Sequence, residues 1–241
     1  MLRHLGSKRT HIHNVRLASL LAITAGFVNA AGFLAFATLT TNVTGHAALF
    51  AERISLRDWA GMRVIALWML LFLAGAFVSS FIVARVGKNQ RFSYVIPIII
   101  ELGILSVVGM EGHRYDHSLV STETFAGSLL FAMGLQNSLV SMISGSVVRT
   151  THLTGTFTDL GIELAQLFDK TDTSVAALRS KIMLRMAVIL FFMTGALTGA
   201  YLFRYAQFPA FFAPAAILLY VLLYDVFRVR FRLMYRKWRA G

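Results

Sequence analysis

Thr41-Asn42-Val43-Thr44-Gly45-His46 and Thr151-His152-Leu153-Thr154-Gly155-Thr156 are two copies of one short polar phrase in a strongly apolar chain. Each copy follows a long apolar run and precedes a weaker one. The likeness continues on both sides. Upstream, Gly26-x-x-Asn29 matches Gly134-x-x-Asn137. Downstream, Leu56-Arg57 and Arg63 match Leu178-Arg179 and Arg185, Gly75-Ala76 matches Gly195-Ala196, and Pro97 matches Pro214. The offset drifts between 108 and 122 residues, as small loop insertions produce. A four-element unit is therefore written twice, over 17–110 and 123–227, inside one membrane domain covering residues 1–241.

Composition sets the class. The 241 residues are 57% hydrophobic and 14% charged, whereas soluble domains carry about 25% charged residues. Six mostly apolar runs, 17–37, 64–84, 94–110, 124–147, 182–203 and 208–227, approach or exceed the length that crosses a hydrocarbon core of about 30 Å. A transmembrane barrel would need alternating segments of about ten residues, which are absent. The expectation is an all-α polytopic membrane protein with six transmembrane helices and two short broken or re-entrant segments, 41–54 and 151–168.

The net charge of +12 does not point to nucleic acid, because the basic residues lie between apolar runs and in the tails 1–16 and 228–241. Arg228, Arg230, Arg232, Arg236, Lys237 and Arg239 follow the last run, the pattern of cytoplasmic anchoring. The same tails suit contact with anionic lipid head groups. Ala35-Phe36-Ala37 resembles a signal-peptidase site, but the run before it is too long for a cleaved signal and has an internal counterpart. With no cysteine there is no disulfide framework and no Cys-based metal site. No cofactor or metal is expected, and homo-oligomerisation stays open.

If both motif segments dip into the membrane and return, each unit crosses three times and the two units are inverted, as in many secondary transporters. If both cross fully, there are eight crossings and parallel units. Either plan leaves all but five of the 23 Lys and Arg on the side of the N-terminus, so charge does not choose. The weak hydropathy of the motif segments favours six crossings. Both plans put both termini in the cytoplasm.

Irregular backbone inside a bilayer is costly unless it lines a cavity or is buried in protein. Thr, Asn and Gly make such a break workable by capping freed N–H groups and permitting close approach. Two half-helix starts meeting near the midplane, each with partial positive charge, suit an anion or small polar solute. Asn29, Asn42, Thr44, His46, Asn137, His152 and Thr154 are the candidate binding residues. The plainer reading is that they cap helices and pack the centre of the duplicate.

Three carboxylates are candidates for proton coupling. Glu101 falls seven residues into a span with no basic residue of its own, so it must pair, face water or stay protonated. Its counterpart aligned through the prolines is Leu218. Asp159 and Glu163 share a helical face, although a position at the cytoplasmic surface is the stronger expectation for them. His113, Asp116 and His117 have a metal-like spacing but lack a further ligand in register and read as a solvated loop. No hydrolase elbow, zinc-protease motif, dinucleotide fingerprint or phosphate loop is present, which argues against an enzyme. The expected function is a small-solute or ion transporter or channel-like protein with its site between the repeats. A non-transporting role in lipid binding, assembly or signalling is the alternative.

The strings Gly26-Phe27-Val28-Asn29-Ala30-Ala31-Gly32-Phe33-Leu34 with Asn42-Val43-Thr44-Gly45, and Met133-Gly134-Leu135-Gln136-Asn137 with Thr150-Thr151-His152-Leu153-Thr154-Gly155-Thr156, resemble the YoaK family of bacterial membrane proteins. The resemblance covers nearly the whole chain. It implies a bacterial inner-membrane location and carries no assigned function. That family usually has Asp at the position of Asn29 and Asn at that of His46. Any proton or cation task of that Asp would here be lost or relocated.

Overall fold

The structure, a computed structural model, describes residues 11–87, 93–144, 150–168 and 175–224. The basic tail 228–241, most of the tail 1–16 and part of the charged linker 169–181 therefore lie outside the described residues. All regular structure among those described is helical. In chain order the helices are α1 (His11–Phe36), α2 (Thr44–Ser55), α3 (Trp59–Val86), α4 (Val95–Glu111), α5 (Leu119–Ser144), α6 (Leu153–Phe168) and α7 (Val175–Ala206). A tight turn at Phe208–Phe211 leads into α8, 212–224.

Five segments are long and apolar enough to cross a membrane: Ala18–Phe36, Trp59–Val86, Val95–Arg114, Leu119–Met142 and Val175–Ala206. Of the sixth expected span, 208–227, the described part is the apolar helix Phe208–Tyr224. Residues 225–227 of that span are outside the described chain. The chain is a multi-pass α-helical membrane protein, since only helices or closed barrels satisfy every backbone group in hydrocarbon.

Small residues decide which helices touch. A Cβ on Gly26 would overlap the Phe192 carbonyl and lie 3.0 Å from Ala196 N, and one on Gly195 would lie 2.8 Å from the Ile23 carbonyl carbon. These glycines seat α1 against α7. In the other half, a Cβ on Gly75 would lie 3.0 Å from Leu135 N, and one on Gly134 3.2 Å from Ala76 N, seating α3 against α5. Backbone meets backbone at both contacts, the close packing that glycine allows between membrane helices. The helices of the two sequence units are thus interleaved: α1 packs mainly on α7 and α5 mainly on α3.

Contacts also give direction. Gly195 meets Ile23 and Gly199 meets Phe27, so α1 and α7 run parallel. Gly75 meets Phe131 and the Ser80 and Ser138 hydroxyls bond at 2.6 Å, so α3 and α5 run parallel. Between α1 and α5 the order reverses. Gln136 Nε2 donates to the Leu21 carbonyl at 3.0 Å, while Phe36 stacks on Phe125 with ring centroids 6.2 Å apart. These two helices are antiparallel.

The ends confirm the alternation. Phe36, Tyr115, Phe125, Phe203 and Phe208 form one aromatic cluster, gathering the ends of α1 and α7 with the start of α5. Phe36, Asp58 and Leu119 line one cavity, which adds the start of α3 to the same end. Hence α1 ends where α3 begins, and the intervening segment goes inward and returns. Its first part runs back along α1: Thr40 Oγ1 donates to the Val28 carbonyl at 3.1 Å, and a Cβ on Gly32 would meet the Thr40 methyl at 2.7 Å. Its second part, α2, pairs antiparallel with α3, with His46 edge-on to Trp68 and Arg53 beside Asp58. Twelve residues of helix span about 18 Å.

Helix ends follow local chemistry. Asp58 caps α3 by accepting the Gly61 N–H at 2.9 Å. That bond, with the Arg53 guanidinium, holds the Asp58 carboxyl below its ordinary range. α3 ends on Gly87 at φ 97°, whose N–H reaches the Val83 carbonyl, and α7 ends on Gln207 at φ 58°, whose N–H reaches the Phe203 carbonyl. Left-handed residues thus close both helices at positions 120 apart, the offset that relates Gly75 to Gly195.

Candidate functional site

Both polar phrases turn at the start of a short helix, and both starts open on one cavity of about 340 Å³. Its wall is Thr41, Asn42, Val43 and Thr44 from the first copy, Thr151 and His152 from the second, and Phe72, Asn137 and Ser141 from α3 and α5. The two copies bury the same positions: Thr41 and His46 in the first, Thr151 and Thr156 in the second. They also bond alike. His46 Nδ1 lies 2.8 Å from the Asn42 carbonyl, and Thr156 Oγ1 donates to the His152 carbonyl at 2.9 Å, each four residues back.

Asn42 caps α2, because its Oδ1 accepts the Gly45 N–H at 3.2 Å. Val43, at the cap position itself, makes no side-chain cap bond. Thus the asparagine, and not the threonines, ties down the first turn. On the second copy, a Cβ at Gly155 would collide with the His152 imidazole, so glycine there lets the ring fold over the start of α6.

Four of the seven candidate binding residues, Asn42, Thr44, Asn137 and His152, line this cavity. Three do not. Asn29 Oδ1 is occupied by the Thr40 N–H at 3.1 Å, the Thr41 N–H at 3.3 Å and the Thr41 hydroxyl at 3.0 Å, so Asn29 holds the loop. His46 is buried behind the wall, with Nε2 3.2 Å from Thr38 Oγ1 and its ring against Trp68. Thr154 is exposed on the first turn of α6, turned away from the cavity, and its carbonyl accepts from Thr158. Its counterpart Thr44 does line the cavity, so the two phrases diverge at this position.

Asp159 and Glu163 share a face and are both paired: Arg185 of α7 reaches Asp159, which stays half-exposed, at 3.1 Å and Glu163 at 3.6 Å. Glu163 is buried, and its Oε2 has no hydrogen-bond partner among the described residues. The pair therefore clamps α6 to α7. Glu101 is buried in α4 with both carboxylate oxygens lacking a partner among the described residues. It lines neither of the two cavities described here. Among the described residues no group of three or more His, Asp or Glu is arranged to hold a metal ion, and His113 instead bonds the Met110 carbonyl at 2.7 Å.

Phe72 and Ser141 were not legible as wall residues. An apolar residue in an apolar run carries no mark of facing a cavity. Gln136 was also passed over. It is fully buried, and its Nε2 lies 3.0 Å from the Leu21 carbonyl and 3.4 Å from Thr150 Oγ1, pinning the second phrase to α5 and α1.

The family model described as "Protein of unknown function (DUF1275)" matches residues 17–224. The chain belongs to this family. The YoaK proteins are members of DUF1275, so the resemblance carried by the two phrases and this match agree. No curated protein and no solved structure matches the chain. The matched stretch holds both phrases and every wall residue of the cavity, so the DUF1275 region contains the whole candidate site.

Proposed function

We propose that this DUF1275 protein is a transporter for a small polar or anionic solute, with its site in the cavity shared by the two phrases. The observation that carries this reading is the lining itself, which draws on equivalent positions of both copies. A volume of about 340 Å³ suits a small solute, being near the lower limit of ordinary ligand pockets. Among the described residues of the wall there is no carboxylate, Lys or Arg. Recognition would fall to hydroxyls, carboxamides, the His152 ring and the partial positive charge of two helix starts.

The proposal includes six crossings in two inverted units, 17–110 and 123–227, in a bacterial inner membrane with both termini cytoplasmic. Its support is the alternation of directions along the chain and the antiparallel pair α1 and α5, which begin the two units. Exchanging the units also exchanges the α1–α7 contact for the α5–α3 contact, glycine for glycine. In such folds the solute site lies where the repeats meet, at broken helices. Glu101 is the proposed proton-coupling group, because it is buried and has no ion pair among the described residues.

The test is a melting series of the purified protein with nitrate, formate, acetate, urea and glycerol. A ligand at 100 times its Kd adds about 2.7 kcal/mol of stability, a readily measured rise. The stabilising solute should lose its effect when Asn42 or Asn137 is replaced by Leu. Stabilisation that survives both changes would move the site elsewhere.

A further inference from the structure

Each phrase is pinned to the helix before it, at equivalent places, but the two sets of bonds are not in the same state. In the first half Asn29 Oδ1 accepts from the Thr40 N–H, the Thr41 N–H and the Thr41 hydroxyl. In the second half Thr150 also lies back against α5, where Gln136 Nε2 approaches its hydroxyl at 3.4 Å. Asn137, the counterpart of Asn29, makes none of the equivalent bonds. Its Oδ1 is buried and has no partner among the described residues.

A buried amide oxygen without a donor has lost its water and gained nothing in return, and native structures keep few such groups. Here the donors are in the chain: Thr151 is buried, lines the same cavity as Asn137, and carries the N–H and hydroxyl that Thr41 gives to Asn29. The asymmetry therefore does not come from a missing donor. We infer that Asn29 and Asn137 are alternating latches: the first is made and the second open here, and the protein's other state makes the second and opens the first. This rests on the reading of the cavity as a transport site between inverted units. When the halves are inverted, exchanging their conformations yields a state of similar energy whose cavity faces the opposite side of the membrane. Asn29 and Asn137 are then positioning residues that set which face the cavity opens to, and Asn137 alone of the two borders it in this state.

The chain has no native cysteine, so one reporter cysteine suffices. Thr44→Cys, or Ser141→Cys as a second reporter, is labelled with a membrane-impermeant maleimide applied to one face or the other, and the ratio of the two rates is read. Asn29→Ala should move the ratio about 2- to 13-fold towards one face, and Asn137→Ala by a similar factor towards the other, the shift expected from losing one net hydrogen bond. Asn29→Asp and Asn137→Asp, which keep an acceptor oxygen, should return towards the parent ratio. If Asn29→Ala does not accumulate, Asn29→Gln displaces the same acceptor and carries the test. Opposite shifts are not produced by loosened packing, which would act alike on both variants. Ratios that stay at the parent value, or that move the same way in both variants, overturn the latches. A solute screen that finds no ligand leaves these ratios untouched, so failure of the solute site and failure of the latches are read separately.

Discussion

Replacing Gly75 with Ala tests the helix pairing on which the site is mounted. The added carbon would overlap the Phe131 carbonyl and lie 3.0 Å from Leu135 N. Both are backbone atoms of α5, so neither can rotate away, and α3 must separate from α5 along the contact. Overpacking of this kind costs about 1–3 kcal/mol. Alanine returns about 0.5–1 kcal/mol because it is the better helix former. The net expectation is a loss of up to about 2.5 kcal/mol, or a fall in Tm of up to about 10 °C for a chain of this size. Gly103 and Gly161 are the controls, since a Cβ on either meets nothing within 4 Å. Gly103→Ala and Gly161→Ala should leave Tm unchanged or raise it, the gain in stability being up to about 1 kcal/mol. Gly134→Ala attacks the same interface from the other side, and Gly26→Ala and Gly195→Ala attack its equivalent between α1 and α7. All four should fall. The assay is thermal unfolding of purified protein in one detergent. If Gly75→Ala melts level with or above Gly103→Ala, the close approach of α3 and α5 is wrong, and with it the framework of the cavity.

For the solute that stabilises the protein, Thr44→Val should weaken binding by about 0.5–1.5 kcal/mol, roughly 2- to 13-fold. Thr154→Val should leave it unchanged, because Thr154 is exposed and outside the cavity; titration calorimetry of both variants measures the difference. A cysteine at Leu56 should be labelled from the same face as one at His117, opposite the N-terminus, as the re-entrant path of 37–58 requires; labelling of Leu56→Cys from the N-terminal face would mean that α2 crosses. Glu101→Gln in proteoliposomes with an imposed pH gradient should abolish gradient-driven uptake while leaving exchange down a solute gradient. Driven uptake at the parent rate would remove Glu101 as the coupling group.

Much of the candidate site was legible because polar residues in an apolar chain have few reasons to exist. Asn42, Thr44, Asn137 and His152 stood out on that ground, and the cavity wall contains them. Asn29, His46 and Thr154 stood out on the same ground and lie outside the wall. A carboxamide that satisfies a turning backbone and one that faces a cavity look alike in one dimension. Asn29 and Asn137 illustrate this most sharply, having equivalent positions in the chain and different bonds in space.

By itself the sequence determined the helical, membrane-spanning class and the weak hydropathy of the two phrase-bearing segments. Each of these depends on local hydropathy, and in hydrocarbon the backbone has almost no choice but helix. Gly26, Gly75, Gly134 and Gly195 were also visible, but only as matched positions. Only the tertiary structure decided which glycine meets which helix, that α1 runs against α5, and that Arg185 takes up Asp159 and Glu163. The reason is physical. Lipid is as apolar as the helix faces themselves, so partner choice rests on shape and on a few buried hydrogen bonds. Those are properties of two surfaces brought together, and no single stretch of chain contains them.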